Sequence, residues 1–285
     1  MSEPTSIDKA YIAGFLDGDG GVAVYKLRNQ NVYPRFVEFY NQQESVLEYI
    51  RSMFEGGKVR RLRTCYSLSF YRDFGLAVAH ALKPYSVYKW QQLEVYESFS
   101  ATLGTEKPGP GGAVSVQLAA RRGELISKIS ALKHETCWNF RPDFMDLPLS
   151  ERLAYIAGFV DAEGYIGIVL PKSGCHCVLL SILHTVPAVL KFIQAHFGGK
   201  ISEYRRSGKR NQYRLLYERK RFVSIAEAIY PYTILKSEQI ECGLQVQVSM
   251  TSRTGRPVLP EILEQREALR LRLKELNTSN WRSIL

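Results

Sequence analysis

One ten-residue phrase occurs twice in this chain. Tyr11-Ile-Ala-Gly-Phe-Leu-Asp-Gly-Asp-Gly20 returns as Tyr155-Ile-Ala-Gly-Phe-Val-Asp-Ala-Glu-Gly164. Two smaller echoes follow each copy in the same order: Gly56-Gly57-Lys58-Val59 with Gly198-Gly199-Lys200-Ile201, then Pro84-Tyr85 with Pro231-Tyr232. Self-similarity on this scale restricts the fold more than composition does, because each copy must make the same supersecondary unit. The chain reads as one unit of roughly 100 residues used twice, a pseudo-dimer in a single polypeptide. Its 285 residues suffice for two domains of ordinary size. The boundaries expected are 1–100 for the first unit, 101–147 for a linker, 148–250 for the second unit and 251–285 for a helical tail.

Each half shows the same coarse pattern. The decapeptide predicts a helix that stops at Asp17 or Asp161 and turns into a strand at Gly20 or Gly164. Strands are predicted over 21–28 and 33–40, matched by 165–170 and 177–184. Val46, Leu47, Ile50, Met53 and Phe54 repeat at helical spacing, as do Val189, Leu190, Ile193 and Phe197. Hairpins are predicted over 58–63 and 66–72, and over 200–206 and 212–220. One more helix closes each half. The fold class predicted is α+β: two pseudo-symmetric αββαββα units. Between them, Gly104-Thr-Glu-Lys-Pro-Gly-Pro-Gly-Gly112 reads as linker. A helical pattern around 124–132 follows, and another over 260–276 is expected to pack on the second unit.

Ala13-Gly14 and Ala157-Gly158 place glycine inside a helix, which costs about 1 kcal/mol relative to alanine. Close approach of two helices is the compensating gain, and its presence in both copies predicts that the two helices pack against each other. That packing brings two helix C-termini together, each with unsatisfied carbonyls and a partial negative charge. Asp19 and Glu163, at identical places in the copies, then converge. Two carboxylates and two sets of carbonyls in one volume need a cation, and hard oxygen ligands suit Mg²⁺.

The two decapeptides resemble the signature of the LAGLIDADG homing endonucleases, in the single-chain form that carries two motifs. Ile12 to Gly20 and Ile156 to Gly164 match the nine-residue core, and the resemblance extends through about residue 250. It implies motif helices packed at the interface between two units, with an antiparallel-sheet saddle along the DNA major groove. It implies that Asp19 and Glu163 bind metal, with the Gly18 and Ala162 carbonyls as further ligands, and that Asp17 and Asp161 are structural helix-end acids. Lys89 and Lys236, each five residues beyond the repeated Pro-Tyr, match the family's active-site lysine. A solvent-ordering polar residue near the end of the second strand is implied at Gln42 and His184, with Gln43 or Thr185 as alternatives. Mg²⁺ is the implied cofactor, with Mn²⁺ able to substitute and Ca²⁺ binding without efficient cleavage. Glu for Asp in the second copy implies unequal strand-cleaving steps.

Lys plus Arg is 38 against 28 for Asp plus Glu, a net charge of +10 that favours a polyanionic partner. The same charge, without a dense aromatic groove, argues against a carbohydrate hydrolase with paired carboxylates. Arg28, Arg35, Arg60, Arg63 and Ser67 in the first half are the candidate DNA contacts. Lys172, Ser202, Tyr204, Arg206, Lys209, Arg210, Gln212 and Arg214 are those of the second. The expected activity is metal-assisted hydrolysis of both strands of a long, asymmetric DNA target by a protein monomer, promoting intron or intein mobility. The rival is an intron-RNA maturase or a non-cleaving DNA-binding protein of the same fold. Five cysteines, an odd number without a CxxC pair, indicate no disulfide framework, and Cys175-His176-Cys177 lacks the partners of a zinc site. The opening residues 1–9 carry two acids and no apolar run, so no secretory signal is expected, and no apolar run is long enough for a membrane span. The expected location is intracellular: an organelle if organelle-encoded, otherwise the cytoplasm of a microbe.

Overall fold

The computed structural model describes residues 3–28, 32–103, 115–134, 140–170, 176–204, 211–250 and 258–282. Lys172, Arg206, Lys209, Arg210 and the Cys175 of the Cys-His-Cys run lie outside the described residues.

The first half runs α1 (Ser6–Asp19), β1 (Gly20–Val24), β2 (Arg35–Asn41), α2 (Glu44–Met53), β3 (Lys58–Arg61), β4 (Tyr66–Tyr71), α3 (Arg72–Leu82) and α4 (Trp90–Ala101). The second repeats it with α6 (Leu149–Glu163), β5 (Gly164–Val169), β6 (Cys177–His184), α7 (Pro187–Phe197), β7 (Lys200–Tyr204), β8 (Gln212–Glu218), α8 (Lys220–Ile229) and α9 (Ser237–Met250). Each sheet is antiparallel with matching strand order, β1-β2-β4-β3 and β5-β6-β8-β7. The α+β class and duplicated architecture are as the sequence predicts, but each half closes on two helices rather than one. Pro84 and Pro231 explain the extra break. Each sits in a short 3-10 turn, Lys83–Tyr85 and Tyr230–Tyr232, that ends α3 or α8 and redirects the chain into α4 or α9. The preceding junctions are also twins: Arg72 and Arg219 both take positive φ, 54° and 53°, where strand becomes helix.

Helix α1 begins in a capping box, Thr5 with Asp8, which satisfies backbone donors reciprocally. It does not stop at Asp17, nor does α6 stop at Asp161; both continue two residues further. The Asp17 and Asp161 side chains are drawn into buried hydrogen bonds with other segments, so neither competes for its own backbone as a helix-ending aspartate would. Gly20 and Gly164 then cap the helices, their N–H groups donating to Leu16 and Val160 carbonyls.

The two motif helices pack together along a seam at the centre of the hydrophobic core. A Cβ built on Gly14 would lie 2.0 Å from the Tyr155 carbonyl oxygen, and one on Gly158 would lie 2.0 Å from that of Tyr11. This is backbone-to-backbone contact, and any larger residue would push the helices apart.

Two more helices, α5 (Val116–Leu132) and α10 (Pro260–Arg282), lie in the stretches expected to be linker and tail. They dock in the same manner. Arg122 donates from Nε to Thr102 Oγ1 and from Nη2 to its carbonyl, at 3.2 and 2.6 Å. Arg266 does the same to Ser249, at 2.8 and 2.6 Å. Arg122 precedes Arg266 by as many residues as Tyr11 precedes Tyr155. The structural repeat therefore extends into both stretches. The α10 helix also packs on the second unit through Arg272 with Glu238 and through Asn277, whose amide donates to the Ile166 carbonyl at 2.9 Å. Among the described residues no helix is long and apolar enough to cross a membrane.

Candidate functional site

Where α1 and α6 end, the seam becomes polar. Asp17 is fully buried, and its carboxylate accepts five hydrogen bonds: from Ser86 Oγ, from the Val87, Tyr88 and Lys89 amides, and from the Tyr155 hydroxyl. Asp161 accepts from the Ile234, Leu235 and Lys236 amides and the Tyr11 hydroxyl. Each acid thus pins the loop that follows the Pro-Tyr turn of its own half and is completed by a tyrosine of the other half.

Pinning the loops delivers the lysines. Lys89 Nζ donates to the Leu16 and Asp17 carbonyls, both at 2.7 Å, and Lys236 Nζ donates to the Asp161 carbonyl. The two ammonium groups therefore sit on the negative ends of the motif helices, where a cation is favoured. Burial lowers both their pKa values, and Asp17, Asp161, Asp19 and Glu163 oppose that shift.

Asp19 and Glu163 are the last residues of α1 and α6. The helix ends nearly touch: a Cβ on Gly18 would lie 2.5 Å from the Ala162 Cβ and 3.2 Å from the Glu163 Cγ. Only one of these facing positions can carry a methyl group, which accounts for glycine in one copy and alanine in the other. Burial pushes the Asp19 carboxyl up to about 6, against the pull of Lys236, Asn41 and Lys89. Burial, then the neighbouring Asp19 charge, pushes Glu163 up to about 7, against Lys89 and Lys236. Four carboxylates thus face two lysines at the seam, and the two outermost are held in a place unfavourable to their charge.

Strand register identifies the polar neighbours. Gly20 pairs with Phe39 and Gly164 with Ile182, so Asn41, not the expected Gln42, is the counterpart of His184. Asn41 Nδ2 donates to Asp19 at 3.2 Å, and its Oδ1 accepts from the Gln43 amide at 2.9 Å, which fixes its orientation. Gln42 lines the cavity nearby. His184 Nε2 is 3.9 Å from Glu163, and its Nδ1 lies 3.1 Å from both the amide nitrogen and the carbonyl oxygen of Val186. Burial, then Lys89, lowers the His184 pKa to about 4, so its ring is neutral near pH 7.

On the Asp19 side the site opens into a cavity of about 620 Å³ lined by Asn41, Tyr40, Ala162, Tyr165, Lys236 and Asn277. On the Glu163 side Tyr88 packs edge-on against His184, centroids 6.0 Å apart, and Lys89 lies over the Tyr88 ring. Leu235 is the counterpart of Tyr88, one residue before the lysine in the other half.

The two sheets bury one face under helices and leave the other open. Arg60 in the first sheet, and Ser202, Gln212 and Arg214 in the second, fall on the open face by strand alternation. Ser67 has the same parity but is only 3% exposed, between its strand partners Arg60 and Tyr40, and does not offer the contact expected of it. Arg28 and Arg63 are exposed beyond the ends of β1 and β3, and Tyr204 closes β7 opposite Gln212. Arg35 does not belong to this group. It shares the inward parity of Val37 and Phe39 and pairs with Asp73 at 3.0 Å, so alternation turns it away from the open face.

Asn41, Tyr88 and the crossed tyrosines Tyr11 and Tyr155 went unassigned in the sequence reading. The tyrosines carried a signal, identity in both motif copies, but their partners lie across the seam. Asn41 needed register, which one residue of uncertainty hides.

No protein-family model matches the chain, and no curated protein sequence matches it. Solved structures do. The LAGLIDADG meganuclease I-AabMI bound to uncleaved DNA superposes with a TM-score of 0.69 at 16% identity, covering 92% of this chain and 98% of that one. The chain has the two-motif LAGLIDADG fold. The LAGLIDADG homing endonuclease I-GzeII in complex with its DNA target gives a TM-score of 0.67 at 15% identity, over 94% and 97% of the two chains. I-SmaMI, bound to an uncleaved DNA target in the presence of calcium ions, gives 0.67 at 16% identity over 94% and 98%. In the LAGLIDADG fold of this chain, the seam of motif helices lies between the two sheets, with Asp19 and Glu163 at its end.

Proposed function

We propose that this chain is a site-specific, divalent-metal-dependent DNA endonuclease that acts as a monomer, cuts both strands of a long asymmetric target and promotes intron or intein mobility. The observation that carries the reading is the pairing of Asp19 and Glu163, each the last residue of a motif helix, with Lys89 and Lys236 bound to the carbonyls beside them. The donor set fits a hard cation: two carboxylates raised in pKa by burial, with peptide oxygens beside them. Among the described residues no three His, Cys, Asp or Glu side chains are grouped so that they could hold one metal ion, since Asp17 and Asp161 are taken up by loop amides and tyrosine hydroxyls. The Gly18 and Ala162 carbonyls and water therefore complete the ligand set in this reading. When bound there, Mg²⁺ supplies Lewis acidity for phosphodiester hydrolysis; Mn²⁺ substitutes, and Ca²⁺ binds without efficient cleavage.

The chain's own groups prepare the reaction. Asp19 and Glu163 hold the cation once deprotonated. Lys89 and Lys236, held by backbone carbonyls, place fixed positive charge where negative charge grows on the phosphate. Asn41 orients Asp19, and neutral His184 lies beside Glu163 as a polar group that orders solvent. The open faces of the sheets carry the basic and polar residues that would grip the duplex, Arg60, Gln212 and Arg214 among them.

A pool of randomised duplexes incubated with the full-length protein and Mg²⁺ tests the reading. One family of sequences should be cut on both strands, Ca²⁺ should support binding without cutting, and Asp19→Asn should abolish the cut. Absence of any Mg²⁺-dependent break in a pool that the protein binds would favour a non-cleaving role.

A further inference from the structure

The open faces of the two sheets are chemically unlike at matched positions. In the first sheet Glu38, at the centre of β2, accepts hydrogen bonds from Tyr40 and Ser69. Strand register makes Ser181 the counterpart of Glu38, Leu183 that of Tyr40, and Leu216 that of Ser69. Beside this, aromatic packing of Phe36 with Tyr25 and Tyr71 in the first face gives way to the smaller aliphatic Leu179 and Val169 at the Phe36 and Tyr25 positions of the second. The middle of the first face is a hydrogen-bonding cluster; in the second, Leu179, Leu183 and Leu216 surround a buried Ser181. Leu179, Leu183 and Leu216 are half-buried, and Val169 is 40% exposed.

An aliphatic patch in this place has a restricted set of complements. It is bordered by Lys200 and Arg214, with Glu218 opposite Leu179, on a chain of net charge +10. Tyr165, which lines the cavity at the motif-helix seam, pairs with the Ser181 at its centre. These features fit a nucleic-acid duplex rather than an apolar protein surface. In the major groove, base edges present donors and acceptors, and one apolar group, the C5-methyl of thymine. A leucine set against any polar edge leaves that edge desolvated without a partner.

We propose that the second sheet selects its half-site by apolar contact with thymine methyl groups, through Leu183 and Leu216 flanked by Leu179 and Val169, while the first sheet selects by hydrogen bonding. This inference rests on the DNA-endonuclease reading and sharpens it. It also sets DNA apart from RNA, because uracil lacks the methyl group.

Replacing thymine by deoxyuridine removes that methyl and leaves the pairing and hydrogen-bonding edges intact. Duplexes retained by the full-length protein in Ca²⁺ from a randomised pool give the preferred target, which should carry thymines in the half facing the second sheet. Deoxyuridine there should weaken binding by about fourfold per buried methyl, the effect of about 0.8 kcal/mol per buried carbon. The same exchange in the other half should change binding less than twofold. Leu216→Ser, which installs the first sheet's residue, should reduce the discrimination while DNA binding persists. No thymine preference in that half, no response to deoxyuridine, or tighter binding to RNA of the same sequence overturns the proposal while leaving DNA binding or the fold untouched. Failure to retain any duplex overturns it together with the reading on which it rests.

Discussion

The two halves of the seam differ where the chemistry would occur. On one side Asp19 is steered by Asn41, with Leu235 leaving a cavity open beside it. On the other, Glu163 has a longer arm, a neutral His184 beside it and Tyr88 packed over that ring. The scaffolding under both is nearly identical: the same glycine contact, the same acid pinning a loop, the same lysine on the same helix end. Symmetry is kept in the frame and in the two lysines, and lost in the outer acids and the side chains beside them. The two strands of a target would therefore meet unequal sites built on equal frames.

The sharpest way to break this comparison is to remove one carboxylate at a time. Asp19→Asn and Glu163→Gln should each lower double-strand cleavage by at least about 10³-fold, roughly 4 kcal/mol of barrier. Nicked product from either variant, read on a strand-labelled duplex, would assign each acid to one strand. Next in size is the shared frame. Gly14→Ala and Gly158→Ala each drive a Cβ into a carbonyl of the opposite helix and should cost about 3 kcal/mol or more in urea unfolding, equally for both. Unequal losses would show that the frame itself is asymmetric.

The crossed tyrosines come third. Tyr11→Phe and Tyr155→Phe each remove one donor from a buried carboxylate and should destabilise by about 1–3 kcal/mol. The loss should be larger for Tyr11→Phe, since among the described residues Asp161 has four donors where Asp17 has five. Metal binding should depend on pH with a definite sign. Asp19 and Glu163, raised to about 6 and about 7, must lose protons to bind a cation. The rise in Tm produced by Ca²⁺ should therefore grow between about pH 5 and pH 8, and level off only above the Glu163 value of about 7. A rise independent of pH would place the cation elsewhere. The smallest effect expected is from Tyr88→Leu, which copies the open side onto the closed one and should bring the two strand-cutting rates within a fewfold of each other.

Much of this was legible in the sequence because duplication makes weak signals count twice. Gly14 and Gly158 predicted close helix contact, and the structure shows backbone meeting backbone. Lys89 and Lys236 were candidates through the family resemblance, at matching spacing from a repeated Pro-Tyr, and the structure gives the reason for that spacing: the segment after the turn feeds three amides to a buried aspartate and carries the lysine with them. Less legible was anything that depends on register or on pairing across the seam. Asn41 instead of Gln42 is a shift of one residue, which inverts the face of a strand. Arg35 looked like one more basic strand residue until its parity with Val37 and Phe39 turned it inward. Arg122 and Arg266 sit in segments whose composition resembles a linker and a tail, and only the hydroxyl residues they clasp show that the segments are twins.

The crossed bonds from Tyr11 to Asp161 and from Tyr155 to Asp17 bear on how such a chain can be recombined. A half transplanted from another protein of this fold would bring its own loop-holding acid but rely on a hydroxyl supplied by its new neighbour. Chimeras should succeed or fail on that exchange of one oxygen each way, whatever the DNA sequence their sheets are meant to recognise.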